Sequence, residues 1–192
     1  MEKPMNYMAK IILKKLRYFF KKADQFLTQD QTIEFAVGRH LMEKNATIAM
    51  AESCTGGLVA HRLTNVAGSS DYFLFSAVTY SNESKIKLLG VLPETIEKYG
   101  AVHEETAKEM AIGAMRIGQS TYGLSTSGIA GPAGGTTEKP VGTVCIGLAS
   151  VTMVMGRRFY FPALDRLQNK EAFATAALKL LLKKIEKDYL DD

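Results

Sequence analysis

Cysteine is scarce: only Cys54 and Cys145 occur in 192 residues. Two cysteines build no disulfide framework, and a reducing compartment fits them best, so a cytoplasmic protein is expected. Histidine is equally sparse. His40, His61 and His103 lie far apart, and none stands at a metal-ligand spacing from a cysteine or another histidine, so no zinc site is expected. No apolar run approaches the ~18 residues of a membrane span. The N-terminal run Ile11-Ile12-Leu13 is too short for the core of a signal peptide. Excess basic charge is also missing from most of the chain. The net charge is +4, but residues 1–30 hold seven Lys and Arg against three Asp and Glu, which leaves residues 31–192 neutral. A nucleic-acid partner is therefore not expected. Asn45-Ala46-Thr47 and Asn82-Glu83-Ser84 match the glycosylation sequon only by chance if the protein is cytoplasmic.

With 46% hydrophobic residues, the chain is ample for one α/β domain with a real core and short for two. Residues 1–30 form their own block. Met5, Met8, Ile12, Leu16 and Phe19 recur at three- and four-residue steps between lysines, which predicts a basic amphipathic helix. It is read as packing on the body or on a neighbouring subunit, with a membrane-surface or acidic-partner role as the alternative. From residue 31 on, strand-like and helix-like stretches alternate. A helix capped by Asp30 or Thr32 runs to about Lys44, then come strand Thr47–Ala51, a helix to about Val66, and strand Phe73–Tyr80. Helices are predicted over Glu83–Leu89, from Pro93 to near Gly100, and over Glu104–Gly118. Strand Tyr122–Ser127, a hairpin of Val141–Ala149 and Val151–Phe161, and a final helix from about Leu167 to Tyr189 complete the pattern. This is a three-layer α/β/α sandwich with a mixed sheet.

Three stretches carry candidate chemistry. In Ala51-Glu52-Ser53-Cys54-Thr55-Gly56-Gly57 a strand turns into a helix. Ser, Cys or Thr there can cap the helix, hold an anion or act as a nucleophile. Gly56 and Gly57 let backbone approach a ligand, and Cys54, in a run with apolar stretches on both sides, reads as a small buried hydrophobe. The second stretch, Thr79-Tyr80-Ser81-Asn82-Glu83-Ser84-Lys85, occupies the same topological place, the end of a strand, where α/β ligands gather. Ser81 and Asn82 are caps. Lys85 falls in the first turn of a helix, where positive charge is mildly unfavourable. It is either an exposed lysine or a buried amine with a lowered pKa that acts as a base for a hydroxyl. The third, Gly128-Ile129-Ala130-Gly131-Pro132-Ala133-Gly134-Gly135, fits neither the P-loop nor the dinucleotide fingerprint. Following Ser125, Thr126 and Ser127, it can still present N–H groups to a phosphate or carboxylate. Asp165 reads as the cap of the last helix, with Arg166 free to hold an anion.

Together with Ala67-Gly68-Ser69-Ser70, Gly100-Ala101-Val102 and Lys139-Pro140-Val141-Gly142-Thr143-Val144, these stretches stand in an order that resembles the CinA C-terminal domain family. Its enzymatic members are nicotinamide-nucleotide amidases. The resemblance runs from about Thr32 to the end and implies a metal- and cofactor-free hydrolysis of nicotinamide mononucleotide to nicotinate mononucleotide and ammonia. It implies Ser53 as nucleophile, Lys85 as general base and Tyr80 beside them. Thr55, Gly56, Gly57, Ser127, Gly128, Gly131 and Arg166 are then expected to contact substrate, with the oxyanion held by N–H groups at the helix start or in the glycine loop. It further implies a homodimer, and a stand-alone form with residues 1–30 added to an amidohydrolase domain of residues 31–192. Two positions depart from the family pattern: Leu164 stands where a glycine is usual, and Lys170 where an arginine is. The alternative expectation is a catalytically silent nucleotide-binding relative.

Overall fold

A computed structural model describes residues 32–162 and 164–190 of the chain. The amphipathic helix expected within residues 1–30 lies outside the described residues. The elements run α1 (Ile33–Glu43), β1 (Ile48–Glu52), α2 (Leu58–Thr64), a short 3-10 turn (Ser69–Asp71), β2 (Phe73–Val78), α3 (Asn82–Leu89) and α4 (Pro93–Tyr99). They continue with α5 (Glu104–Gly118), β3 (Tyr122–Gly128), β4 (Thr143–Ala149), β5 (Val154–Tyr160) and α6 (Arg166–Leu190). The five strands form one sheet in the order β2-β1-β3-β4-β5. β1 pairs in parallel with β2 and β3, whereas β3–β4 and β4–β5 are antiparallel.

Alternation along β1 divides the core. Ile48 and Met50 face a large cluster with Val37 and Leu41 of α1, Val59 and Leu63 of α2, and Phe173, Ala177 and Leu181 of α6. Ala49 and Ala51 face a smaller one with Leu89 of α3 and with Met110 and Ala114 of α5. The expected three layers and mixed sheet are therefore present. On the α5 side the sheet carries small residues, which lets the helix backbone come close. A Cβ on Gly123 of β3 would sit 2.1 Å from Ala111 O, one on Gly147 of β4 2.0 Å from Ala107 O, and one on Gly156 of β5 2.4 Å from Glu104 O. Ser125 uses the same closeness, its hydroxyl donating to Ala107 O at 2.6 Å.

β2 ends at Val78 rather than Tyr80, and two strands start two or more residues later than the sequence expectation. β4 begins at Thr143 rather than Val141, because Gly142 turns the chain at φ +96° and its N–H goes to Ile129 O. β5 begins at Val154 rather than Val151, because Ser150 and Met153 close the connecting turn on each other, with Ser150 N–H donating to Met153 O at 2.7 Å.

The chain leaves β1 for β2 through α2 on one face of the sheet. It returns past β1 to β3 through α3, α4 and α5 on the other. The C-terminal end of β1 is thus a topological switch point, the place where open α/β sheets leave a crevice for a ligand.

Candidate active site

The backbone of β1 is extended by one residue beyond the strand. Ser53 N–H donates to Thr126 O of β3 at 2.9 Å, and Thr79 N–H, just beyond β2, donates to Glu52 O at 2.8 Å. Ser53 is therefore held between two strand ends. The chain then folds back, with Gly56 N–H donating to Ser53 O at 3.1 Å, and passes through Gly56 (φ +63°) and Gly57 (φ +93°) into α2. Two successive left-handed residues explain the two glycines.

None of Ser53, Cys54 and Thr55 caps α2, one of the three roles that the sequence leaves open for them. Gly57 is the N-cap and has no side chain for the role. Glu52, the last residue of β1, supplies the anion instead. Its carboxylate accepts from Gly57 N–H at 2.9 Å, Val59 N–H at 3.1 Å and Ala60 N–H at 2.8 Å, and from the Thr55 hydroxyl at 2.6 Å. Glu52 is 1% exposed, so this carboxylate is dry. The Thr55 hydroxyl, also buried, lies 2.7 Å from that of Thr126. Its own proton goes to Glu52, so Thr126 donates to it.

Lys85 reaches Ser53 from the opposite side. Ser81 caps α3, accepting from Ser84 N–H at 3.0 Å, and Lys85 follows in the first turn. Its side chain turns inward and is 1% exposed. The amine contacts Thr79 O at 2.8 Å, Tyr80 O at 3.2 Å and Ser53 Oγ at 3.2 Å. No carboxylate pairs with it among the described residues. Burial lowers its pKa below the ordinary lysine value, against a weaker opposing influence of Cys54. The apparent misplacement of a lysine at a helix start thus resolves into a buried amine aimed at a hydroxyl. The Cys54 thiol is pushed up to about 12, chiefly by burial, which keeps it protonated and inert.

A cavity of about 200 Å³ opens over this pair. Ser53, Cys54, Tyr80, Lys85, Ala101, Val102, Ser127, Gly128, Ala130 and Arg166 line it. Six of the ten residues singled out from sequence come together here: Ser53, Lys85, Tyr80, Ser127, Gly128 and Arg166. Tyr80 is 61% exposed at the mouth. Its hydroxyl accepts from Arg166 Nη2 at 3.1 Å, while Arg166 Nη1 donates to Gly131 O at 2.6 Å. Arg166 therefore bridges the β2–α3 loop and the glycine loop. Ser127 is buried, and its hydroxyl donates to Ala101 O at 2.7 Å, which ties β3 to the cavity wall.

The other four do not line the cavity. Thr55 is fully buried on Glu52 and Thr126, Gly57 has its N–H on Glu52, and Gly56 points outward. Gly131 is buried and turns the loop at φ +86°. These residues shape the site rather than face it. At the helix start the N–H groups of Gly57, Val59 and Ala60 are likewise committed to Glu52 rather than turned to the cavity. Sequence reasoning had no role for Glu52, Ala101, Val102 or Ala130. The only sign of Glu52 was a carboxylate placed just before a helix start, where negative charge is favourable. Lys170, one turn beyond Arg166, brings its ammonium to 3.5 Å from where a Cβ on Gly56 would stand.

Larger concavities lie elsewhere. One of about 630 Å³ is bounded by Thr121, Ser150 and Lys184, and one of about 520 Å³ lies between β5 and α6. Neither joins a hydroxyl to an unpaired buried amine. Among the described residues, no three His, Cys, Asp or Glu side chains gather as a metal site, and no helix is long and apolar enough to cross a membrane.

Solved structures share this architecture. A competence/damage-inducible protein from Agrobacterium tumefaciens superposes with a TM-score of 0.75 at 36% identity, over 79% of this chain and 94% of that one. A CinA superfamily protein from Klebsiella pneumoniae gives a TM-score of 0.77 at 29% identity, over 81% and 96%. Among curated relatives, a CinA-like protein of Desulforapulum autotrophicum is 58% identical over 154 residues, 80% of this chain but 36% of its own length. A putative competence-damage inducible protein of Alkaliphilus metalliredigens is 50% identical over 158 residues, 82% of this chain and 38% of its own. The chain thus spans little more than a third of the curated relatives it matches. The family model described as the CinA C-terminal domain matches residues 30–185, and the chain belongs to that family.

Proposed function

We propose that the protein hydrolyses the carboxamide of nicotinamide mononucleotide, with Ser53 as nucleophile and Lys85 as general base. The observation that carries this reading is the contact between the buried Lys85 amine and Ser53 Oγ at 3.2 Å. Two of the three partners of the amine, Thr79 O and Tyr80 O, are carbonyls that only accept. A neutral amine has two hydrogens for them and one lone pair left, directed at the Ser53 hydroxyl. Burial favours that neutral form.

In this mechanism Lys85 Nζ takes the Ser53 hydroxyl proton as Oγ bonds to the carbonyl carbon. The resulting ammonium returns the proton to the amide nitrogen as the C–N bond breaks, releasing ammonia and leaving an acyl ester on Ser53. Water then repeats the sequence, Lys85 taking its proton, and the carboxylate product leaves with Ser53 restored. The cavity is smaller than the ~300–1,000 Å³ of pockets that enclose a whole drug-sized ligand. It fits a ring and its carboxamide, with the ribose phosphate outside. Arg166 at the mouth and Lys170 one turn further along α6 supply positive charge on that side.

Ammonia release from nicotinamide mononucleotide tests the reading. The expected result is turnover by the wild type that is lost in Ser53→Ala and in Lys85→Met. Full activity in either variant refutes the assigned roles. Tight binding of the nucleotide with no ammonia released marks a silent binding protein instead. Size-exclusion chromatography with light scattering tests the homodimer that the family resemblance implies, and a monomer refutes it.

A further inference from the structure

The residue before the nucleophile is a buried carboxylate that faces four donors and, among the described residues, no cation. Glu52 Oε2 accepts from the Thr55 hydroxyl, Gly57 N–H and Val59 N–H, and Oε1 accepts from Ala60 N–H. A carboxylate accepts at both oxygens and brings no hydrogen of its own, so it satisfies all four. A glutamine in the same place directs an NH2 at a backbone N–H in either orientation. A seven-residue helix needs no such device for capping alone, since a serine or aspartate at its N-cap would serve. Here the N-cap is glycine, and the cap is bonded through the chain to Ser53.

The sides of the sheet give the consequence. Ile48, Met50 and Glu52 point to the face that carries α2, whereas Ala49, Ala51 and then Ser53 follow the parity of the face that carries α3 and Lys85. Fixing Glu52 on one face sets the rotation of the strand end that turns Ser53 toward the other. Ser53 N–H on Thr126 O, and Thr126 joined through Thr55 to Glu52, close the same linkage from β3.

We propose that Glu52 is a positioning residue. Its charge locks the β1–α2 junction so that Ser53 Oγ meets Lys85 Nζ, and Thr55 is the hydroxyl that completes the lock. The proposal rests on Ser53 being the nucleophile of the amide hydrolysis above. Two readouts keep the two ideas apart: kcat and KM for ammonia release, and the rate at which a fluorophosphonate modifies Ser53, followed by intact mass. The second depends on the aim of the hydroxyl and not on substrate identity. Both are read on full-length protein well below the Tm of each variant.

In Glu52→Gln, kcat and the modification rate are expected to fall together by about 10–100-fold with KM unchanged, as for a small displacement of a reacting atom. Thr55→Val should fall less, and Thr55→Ser should restore wild-type behaviour. Folded Glu52→Gln with wild-type kcat and modification rate overturns the proposal and leaves Glu52 a helix cap. If Glu52→Gln does not fold, Thr55→Val decides: an unchanged modification rate overturns the proposal and a reduced one supports it. Wild-type protein that is modified at Ser53 but releases no ammonia refutes the amide substrate alone, and the variants are then ranked by modification rate. Wild-type protein that does neither overturns both.

Discussion

Replacing Lys85 by methionine separates the chemical from the structural role of the buried amine. Methionine keeps the unbranched length and removes every donor. General-base proton transfer contributes about 10²–10⁴-fold, so the variant should lose about 3–5 kcal/mol of barrier lowering. The stability change is smaller and has opposing parts. Thr79 O and Tyr80 O lose donors at 2.8 and 3.2 Å, at about 0.5–1.5 kcal/mol each. Against this, the fold no longer has to desolvate an amine. The pH dependence tells the parts apart. Burial lowers the folded pKa of Lys85, so the unfolded chain holds this proton where the folded one does not. Stability contributed by Lys85 is therefore full above the unfolded value of about 10.4 and is lost as pH falls through the lower folded value. The stability of wild type minus variant, measured by urea unfolding, should rise from pH 7 to 10. The kcat/KM of the wild type should rise with pH to a plateau below the ordinary lysine range, and that limb should be absent from the variant. A variant retaining more than a tenth of wild-type kcat, or a stability difference flat with pH, refutes the assignment.

Three other outcomes follow from the same geometry. The Cys54 thiol, pushed up to about 12, should resist iodoacetamide at pH 8 in the folded protein, and Cys54→Ala should keep kcat within about threefold; rapid alkylation of folded protein at Cys54 contradicts this. Gly128→Ala places a Cβ 2.5 Å from Thr143 O, 2.9 Å from Val144 Cα and 3.1 Å from Cys54 Sγ. About 1–3 kcal/mol of stability should be lost, seen as a lower Tm, together with kcat. His103 caps α5 by accepting from Glu105 N–H at 3.1 Å, and its pKa is lowered, first by burial. The folded state thus favours neutral imidazole, so its contribution is full above about pH 6.5 and fades as pH falls through the lower folded value. His103→Asn should remove that acid-side loss of up to about 1 kcal/mol in thermal unfolding between pH 7 and 5.

Local pattern located most of the framework because its signals are local. Pro93 at a helix start and the apolar stripe of Ala107, Met110, Ala111 and Ala114 mark α4 and α5 where they stand. Ser53 and Lys85 were each visible as oddities: a hydroxyl at a strand-to-helix turn and a cation at the wrong end of a helix. Only the family resemblance joined them, since their contact spans 32 residues. Glu52 was illegible for a different reason. A charged residue closing an apolar strand looks like the first solvated position, and its burial depends on four donors that converge only once α2 forms. Thr55, Gly56 and Gly57 fall outside the cavity lining through the same omission, because Glu52 already holds the N–H groups of Gly57, Val59 and Ala60 at the helix start. Gly131 also falls outside the lining, because a glycine in a loop does not show in sequence on which side of the wall it lies.

The closeness of α5 to the sheet also fixes a dimension of the site. The cavity wall at Ala101 and Val102 is the segment that leads into α5, and α5 rests on Gly147 and Gly156, whose absent side chains leave its carbonyls about 2 Å from where a Cβ would be. The wall therefore has its height set from beneath, by two glycines on strands that contribute nothing to the cavity lining. A single added methyl there acts as a shim: it raises the start of the helix, and the ceiling over Ser53 with it. The shape of a cavity in such a scaffold can drift through positions that a survey of the lining residues would never include.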